Sequence, residues 1–389
     1  MNPLLSSLAR PEHLAAAVHT VVQRSIDEQR LTGAVVAIAW RGDIIYHSAS
    51  GMADRETSSV MKLDTIFRLA SVSKPIVSTA AMVLIARGQL TLDTDIRRWL
   101  PDFSPVLPDG HDAFITARHL LSHTAGLGYR FFEEDETGPY AQAGVSDGMD
   151  DSPVSLEVNL QRIARVPLLY QPGSRWGYSL ATDVLGALIA RVHGTTLAQT
   201  VQDLVTGPLD MVDTAFSATD ASRVATAYVS DMPQPHKLHE NERVPVVPGT
   251  SGIVFSPSRI FNRDAWPSAG AGMAGTARDI LRLLEALRQG DERLLPPTLV
   301  AEMTRDQTNG VELPEMPGVG FGLGFSILRD PLLAGSPEST GTWRWGGAYG
   351  HAWFVDPVQE LSVVALTNTL YEGMSGQFVN ALRDAVYGV

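Results

Sequence analysis

The chain has 389 residues and a formal net charge of −13, from 30 basic and 43 acidic side chains, which argues against nucleic acid or an anionic membrane as a partner. It contains no cysteine, so disulfides, thiolate metal sites and a cysteine nucleophile are excluded. Its hydrophobic content of 44% and charged content of 19% are typical of a globular protein, and its length predicts two lobes or one domain with a large insertion.

The N-terminal region is predicted to form a helix and then a hairpin. Apolar residues recur at helical spacing over residues 14–29, and two β-prone runs follow at 34–40 and 44–49. The N-terminus lacks a basic start followed by a sustained apolar run, and no stretch is long enough to span a bilayer. We therefore expect a cytoplasmic protein.

An SVSK tetrad from Ser71 to Lys74 opens a long apolar run that stops at Gly88. A spacing of three places the serine and the lysine on one face of a helix. Pro75 fits the first turn, where backbone N–H groups have no intrahelical acceptor. The helix is predicted to begin at Ser71 and, being apolar on every side, to be surrounded by protein.

Lys74 is one of only three lysines, and the one with apolar neighbours. Desolvation and the positive end of the helix dipole both disfavour its charged form, which suits a base that activates a serine hydroxyl. The tetrad alone leaves two interpretations open. One is a reactive pair, and the other is a serine that caps the helix beside a lysine that reaches water.

Residues 113–124 are predicted to form a helix with Thr116 as its N-cap. His119 and His123 stand four residues apart, a spacing that can hold a metal, but no acidic or third imidazole ligand accompanies them. We expect both histidines to be structural, and we predict no metal and no cofactor.

Residues 128–153 are rich in glycine, acidic and aromatic residues and are predicted to form a loop near the functional site. Within the loop, Gly144 to Gly148 match the GxSxG nucleophile elbow around Ser146. A true elbow follows a buried strand and opens a helix, whereas polar residues flank this one. We therefore expect Ser146 not to be the nucleophile.

Helices are predicted over residues 156–164 and 180–192, the second closed by Gly194. Tyr178 precedes the second helix, where a loop side chain can point into a cleft. Residues 232–249, rich in proline and charge, are expected to be exposed. A helix with a capping box is predicted at residues 276–287, and a last helix at 376–386. The C-terminal strands are predicted at 318–328, 342–348, 351–355 and 361–367.

This order of elements predicts an α+β fold, with an antiparallel sheet flanked by helices and a mostly helical second lobe. Residues 1–88 and 255–389 are expected to form the sheet lobe, and residues 89–254 the inserted helical lobe. We expect the active site in the cleft between the two lobes.

Three motifs occur in the order and rough separation of the serine β-lactamase and penicillin-binding-protein superfamily. They are SVSK at Ser71 to Lys74, WGYSL around Tyr178, and WGG at Trp345 to Gly347. The chain most resembles the family VIII carboxylesterases, which themselves resemble class C β-lactamases. The resemblance covers nearly the whole chain, and it implies the two-lobe fold and a hydrolase that acts through an acyl-enzyme.

The resemblance also implies roles for individual residues. Ser71 would be the nucleophile, and Lys74 and Tyr178 would remove its proton and return one to the leaving alcohol. The backbone N–H groups of Ser71 and Ala348 would hold the oxyanion. Trp345 would belong to the catalytic set. Residues that would contact the substrate are Tyr129, Trp345, Gly346 and Gly347, with further apolar wall expected from Phe131 and Phe132.

Two positions depart from the β-lactamase pattern. Leu180 stands where a YxN motif has its asparagine, and Trp345 stands where a KTG motif has its lysine. Both changes remove polar groups that grip a β-lactam, so we expect a small-molecule ester with a short or small acyl group as the substrate. A β-lactam or peptide amide hydrolase is one alternative, and a catalytically silent relative that binds a ligand in the cleft is another. The sequence leaves the oligomeric state open.

Overall fold

An eight-stranded antiparallel sheet joins the two ends of the chain in the computed structural model, which describes residues 11–389. The strands of these residues, in chain order, are β1 (Gly33–Trp40), β2 (Asp43–Asp54), β3 (Ser59–Val60), β4 (Phe67–Arg68), β5 (Tyr228–Val229), β6 (His236–Lys237), β7 (Glu242–Val244), β8 (Ile253–Phe255), β9 (Ala274–Gly275), β10 (Val319–Phe321), β11 (Ser326–Leu328), β12 (Trp343–Gly347), β13 (His351–Asp356) and β14 (Leu361–Thr367). The large sheet has the order β10-β11-β12-β13-β14-β1-β2-β3, and β4 with β9, β5 with β6 and β7 with β8 form separate pairs.

The α-helices of the described chain lie before, between and after these strands in sequence. They are α1 (Pro11–Asp27), α2 (Ser73–Ala86), α3 (Ala117–Leu121), α4 (Pro139–Gln142), α5 (Leu156–Ala164), α6 (Ala181–His193), α7 (Leu197–Val201), α8 (Ala277–Gln289), α9 (Pro297–Met303), α10 (Glu372–Ser375) and α11 (Gln377–Tyr387). Short 3-10 turns lie at Ala70–Val72, Ile96–Arg98, Arg130–Phe132, Ala221–Arg223 and Pro257–Phe261, and a π-helical turn lies at Gln202–Thr206.

The centre of the sheet pairs the N-terminal and C-terminal strands. Strand β1 hydrogen-bonds to β14 on one side and to β2 on the other, which confirms that the first and last segments share one sheet. Strand β1 is buried on both faces, as is usual for a strand covered on two sides. Apolar side chains of α1 and α11 cover one face, and those of α2 and α8 cover the other.

Helix α2 lies inside the protein. Every residue from Ser73 to Leu84 is buried, which confirms the predicted helix surrounded by protein. The division into lobes at residues 1–88 with 255–389, and 89–254, stays a prediction, and the first ten residues lie outside the described part. No helix within residues 11–389 is long and apolar enough to cross a membrane.

Several other predicted elements are confirmed with small changes at their ends. They are the first helix (α1), the first hairpin (β1 and β2), the helices α5, α6 and α11, and the strands β12, β13 and β14. Gly194 closes α6 with a left-handed backbone, φ +83°, a conformation that glycine adopts at little cost.

Two predicted helices begin or end elsewhere. Helix α2 begins at Ser73 rather than Ser71, because Ser71 occupies the preceding 3-10 turn. Helix α3 covers only five residues of the expected 113–124. The Thr116 side chain caps its start by accepting a hydrogen bond from the His119 backbone N–H, and the α-helical pattern stops before Ser122.

Residues 318–328 form a hairpin rather than the single predicted strand. Strands β10 and β11 pair antiparallel, and the Gly322 N–H closes the turn by donating to the Phe325 carbonyl at 2.8 Å. Gly324 has φ +113°, and a Cβ atom there would lie 2.4 Å from Ser78 Oγ. Glycine is required at this position because the turn packs directly against α2.

Only one of the two hydrogen bonds of the capping box predicted for α8 forms. Thr276 Oγ1 accepts a hydrogen bond from the Asp279 N–H at 3.3 Å. The Asp279 carboxylate does not return the bond; it accepts from the Asp213 backbone N–H and the Thr214 hydroxyl, each at 3.0 Å. A contact between distant segments has replaced the local one.

Candidate active site

Ser71, Lys74 and Tyr178 meet at the start of α2. Ser71 Oγ lies 2.6 Å from Tyr178 Oη and 3.1 Å from Lys74 Nζ. Ser71 sits in the 3-10 turn and Lys74 in the first turn of the α-helix, so the spacing of three still brings both side chains to one side. The structure therefore joins the three predicted catalytic side chains within hydrogen-bond distance.

Lys74 points into the protein and not toward solvent. Its exposed fraction is 1%, and Nζ donates a second hydrogen bond to the Gly270 carbonyl at 2.8 Å. The amine also lies 4.7 Å from the centre of the Tyr178 ring. Within residues 11–389 it forms no ion pair with a carboxylate. The alternative of a lysine that reaches water is therefore wrong.

Tyr178 is held in an aromatic cluster just before α6. Its ring centre lies 4.9 Å from that of His123, 5.2 Å from that of Tyr129 and 5.3 Å from that of Trp345. The preceding Gly177 N–H donates to the His123 carbonyl at 2.9 Å. Aromatic pairs at these separations attract each other, so the cluster fixes the direction in which the phenol points.

Strand β12 brings Trp345 and Ala348 to the same site. A Cβ atom on Gly347 would lie 2.4 Å from the Leu69 carbonyl oxygen, so the strand approaches the Ser71 turn closely only because this residue is glycine. Ser71 and Ala348 consequently line the same cavity. Their backbone N–H groups stay a predicted oxyanion hole.

The cavity that Ser71 lines has a volume of about 360 Å³ and mostly apolar walls, and its lining continues to residues of β13, β14 and α11. Three of the four predicted substrate contacts line it, namely Tyr129, Trp345 and Gly346, and Ala348 of the predicted oxyanion hole lines it as well. Gly347 is not part of the lining and packs against the turn instead. The loop of residues 128–153 supplies further lining residues, which are Phe131, Phe132, Asp147 and Met149. The prediction that this loop lies at the site is confirmed.

Asp147 holds the aromatic part of that loop. Its two carboxylate oxygens accept hydrogen bonds from the backbone N–H groups of Arg130 and Phe131, each at 3.0 Å. Burial raises the pKa of Asp147 to about 8. Tyr129 stacks on Phe131 with ring centres 4.4 Å apart. A buried carboxyl group therefore fixes the wall that faces Ser71, and sequence reasoning did not find it.

Sequence reasoning also missed the groups behind Lys74. Asp183, in the first turn of α6, accepts hydrogen bonds from Ser268 Oγ at 2.7 Å and from the Gly270 N–H at 3.2 Å. Burial raises the pKa of Asp183, while hydrogen bonding and the nearby Lys74 oppose the shift. Asp183 thus holds the segment whose Gly270 carbonyl binds Lys74. The one sequence feature that could have pointed to this segment is its run of small residues at 268–272, which lets the backbone approach other groups closely.

Ser146 and the two histidines have structural contacts. Ser146 is 1% exposed, and its hydroxyl donates to Asp150 Oδ1 at 2.7 Å. His119 Nδ1 accepts from the Thr116 N–H at 3.3 Å. Burial keeps the pKa of His123 well below its usual value, and its Nδ1 lies 3.3 Å from Ser179 Oγ. No group of three potential metal ligands occurs within residues 11–389.

Comparisons with known proteins identify the family of the chain. The sequence model of the family described as Beta-lactamase matches residues 18–387. Esterase EstB of Burkholderia gladioli is 48% identical over 375 residues, which cover 96% of this chain and 95% of that protein.

Two solved structures show similar folds. EstCE1, described as a hydrolase with promiscuous acyltransferase activity, superposes with a TM-score of 0.94 at 45% identity, covering 98% of this chain and 100% of that chain. A penicillin-binding protein homologue from Caulobacter crescentus superposes with a TM-score of 0.71 at 22% identity, covering 96% of this chain and 98% of that chain. The second likeness concerns the fold alone.

Proposed function

The chain belongs to the Beta-lactamase family and has its α+β fold, and from this premise we propose that it is a family VIII carboxylesterase with Ser71 as nucleophile. The observation that carries the proposal is the position of Ser71 Oγ, between Lys74 Nζ and Tyr178 Oη, at an apolar cavity. The 48% identity to Esterase EstB over 96% of the chain supports the choice of ester hydrolysis.

In the proposed reaction, the Ser71 oxygen attacks the carbonyl carbon of the ester while its proton passes to the Lys74 and Tyr178 pair. Backbone N–H groups of Ser71 and Ala348 stabilise the negative oxygen that develops. The bond to the alcohol then breaks, and the alcohol leaves with a proton from the same pair. Water attacks the acyl-enzyme by the reverse proton path, which releases the acid and restores Ser71.

The proposed substrates are uncharged esters with short or small acyl groups. Trp345 offers an apolar face where a KTG lysine would offer a cation, and a charge-assisted hydrogen bond of that kind is worth about 1.5–3 kcal/mol. Leu180 has no polar group in its side chain and is fully buried, so it cannot replace the asparagine as a polar contact to the substrate. The alternative of a β-lactam or peptide amide hydrolase has less support, because both polar groups are missing. A silent relative has less support because all three side chains are in contact.

A substrate panel tests the proposal. We expect p-nitrophenyl acetate and butyrate to be cleaved rapidly, longer esters more slowly, and a chromogenic cephalosporin and penicillins slowly or not at all. Ser71→Ala measures the uncatalysed background for each substrate. Efficient penicillin hydrolysis with weak ester hydrolysis would favour the β-lactam alternative, and no Ser71-dependent turnover of either class would favour the silent relative. A cytoplasmic location stays a prediction that cell fractionation can test.

A further inference from the structure

Two arginines are buried directly behind the active-site cavity. Arg68, on β4, is 9% exposed, and Arg259, in the 3-10 turn Pro257–Phe261, is 8% exposed. Arg68 donates from Nε and Nη1 to the carbonyls of Pro257 and Ala225, at 2.8 and 2.7 Å. Arg259 donates from Nε to the Gly148 carbonyl at 3.0 Å. Neutral carbonyls therefore satisfy part of each guanidinium group.

Neither guanidinium group has a partner of opposite charge in contact. Within residues 11–389 no carboxylate forms an ion pair with Arg68 or Arg259, and Arg259 Nη1 is buried there without any hydrogen-bond partner. Burial lowers the pKa of Arg68 and that of Arg259, but a guanidinium group stays protonated in proteins. Buried charges are usually paired with a group in contact, whereas carboxylates act on these two arginines only from a longer distance.

A small cavity lies between the two arginines. Its volume is about 20 Å³, enough for one species of the size of a water molecule and too small for a polyatomic organic anion. Tyr349 lines the same cavity. Burial raises the pKa of Tyr349 to about 12; Glu240 adds to this shift, and both arginines oppose it.

We propose that this cavity binds one small monovalent inorganic anion, with chloride as the physiological ligand. Arg68, Arg259 and Tyr349 can supply N–H and O–H donors to it, and Arg259 Nη1 gains the partner that it lacks. Asp150, Asp151 and Asp183 act on Arg259, and Glu240 acts on Arg68, from a longer distance. Their charges oppose a multivalent anion more strongly than a monovalent one.

The bound anion links two segments of the active site. Met149 and Ala271 line both this cavity and the cavity in front of Ser71. Ala271 follows Gly270, whose carbonyl binds Lys74, and Tyr349 follows Ala348. The anion thus ties Arg259, which donates to the Trp266 carbonyl just before the 268–272 segment, to Tyr349 in the turn after β12.

Bromide identifies the site without any variant, because it replaces chloride and scatters X-rays anomalously. Crystals of the full chain grown in sodium bromide should show an anomalous peak between Arg68 and Arg259. In solution, Tm should rise by about 2 °C for each tenfold increase in chloride above Kd. Bromide should act like chloride, and sodium gluconate at equal ionic strength should have no such effect because gluconate cannot enter a cavity of this size.

Variants test whether the dependence of Tm on chloride comes from this cavity. Arg259→Met and Tyr349→Phe should each weaken or remove the difference in Tm between chloride and gluconate. Arg24→Met is the matched control, since it removes an equal charge from an exposed position on α1 and should leave the difference intact. If Arg259→Met does not fold, the bromide map of the unmodified protein decides. A cavity filled by water with no bromide peak, or equal Tm values in chloride and gluconate, would overturn the proposal.

Discussion

Ser71 and Ser146 each stand in a short motif associated with serine hydrolases, yet their surroundings differ. Ser71 Oγ faces a cavity and contacts an amine and a phenol. Ser146 Oγ is buried; it donates to the Asp150 carboxylate and accepts from the Gly148 N–H at 3.1 Å. The comparison teaches that a reactive serine is defined by a base within reach and by open space for the substrate, and not by flanking glycines.

The backbone of Ser146 is fixed as firmly as its side chain. The Ser146 N–H donates to Asn159 Oδ1, and Asn159 Nδ2 donates to the Ser146 carbonyl, both at 2.9 Å. These two bonds attach the loop to α5. A reacting serine must exchange its hydrogen-bond partners during catalysis, whereas Ser146 uses all of its partners to hold the loop. We therefore assign Ser146 a structural role.

The largest expected effect separates the two serines directly. Ser71→Ala should lower kcat for p-nitrophenyl acetate by about 10³-fold or more, because the proposed nucleophile is removed. Ser146→Ala should retain most of the activity and lose about 1–3 kcal/mol in the free energy of unfolding, because Asp150 and Gly148 lose a buried partner. Kinetics and chemical denaturation measure the two effects.

Covalent labelling supplies an independent control. A phosphonate inhibitor should attach to the peptide that contains Ser71, as read by mass spectrometry, in the unmodified enzyme and in Ser146→Ala. A phosphonate found on Ser146, or a Ser71→Ala enzyme that still turns over ester, would contradict the assignment.

The next effect concerns pH, because each serine has a buried group with a shifted pKa nearby: His351 contacts Arg68, shortly before Ser71 in sequence, and Asp147 follows Ser146. His351 supports the Ser71 region: its Nε2 lies 2.7 Å from the Arg68 carbonyl oxygen, and burial lowers its pKa from 6.5 to about 4. Between these values the unfolded chain binds more protons than the folded protein, so stability falls as pH drops from 6.5 to 4. The loss is on the order of 3 kcal/mol, at about 1.4 kcal/mol for each pH unit.

Asp147, next to Ser146, should respond in the opposite direction. Burial raises its pKa to about 8, so the folded protein holds this proton more tightly, and stability falls as pH rises from about 4 to about 8. Urea unfolding at several pH values should show a shallower acid limb in His351→Gln and a shallower alkaline limb in Asp147→Asn. Variants with the same pH profile as the unmodified protein would disprove these two sources.

The smallest expected effect concerns the wall of the cavity that Ser71 lines and Ser146 does not. Trp345 is partly exposed, and its ring lies 5.3 Å from Tyr178 and 5.2 Å from Phe321. Trp345→Ala should lower kcat/KM for small esters by about tenfold, which corresponds to the loss of one good aromatic contact, with Tm nearly unchanged. Steady-state kinetics and thermal unfolding together measure it.

Trp353 provides the matched control for Trp345. It pairs with Trp345 across β12 and β13 but is 1% exposed, so Trp353→Ala should cost about 3–5 kcal/mol of stability. If Trp345→Ala destabilised the protein as much as Trp353→Ala does, Trp345 would be a core residue and its proposed contact with substrate would be wrong.

The sequence by itself determined the elements whose cause is local. The apolar pattern predicted α2, the stop at Gly194 closed α6, and alternation with turn residues predicted β12 to β14. The resemblance to the serine β-lactamase superfamily also selected Ser71, Lys74 and Tyr178. Their catalytic roles stay predictions, while their mutual contact is an observed property of the fold.

Only the tertiary structure decided which distant groups meet. The Gly270 carbonyl reaches Lys74 across 196 positions in sequence. The Asp279 carboxylate binds residues 65 and 66 positions away rather than the backbone of its own cap, and two buried arginines face one cavity. Periodicity and capping signals report on neighbours within a few residues along the chain. Contacts of this kind depend on how the sheet and α2 pack, so no local pattern could reveal them.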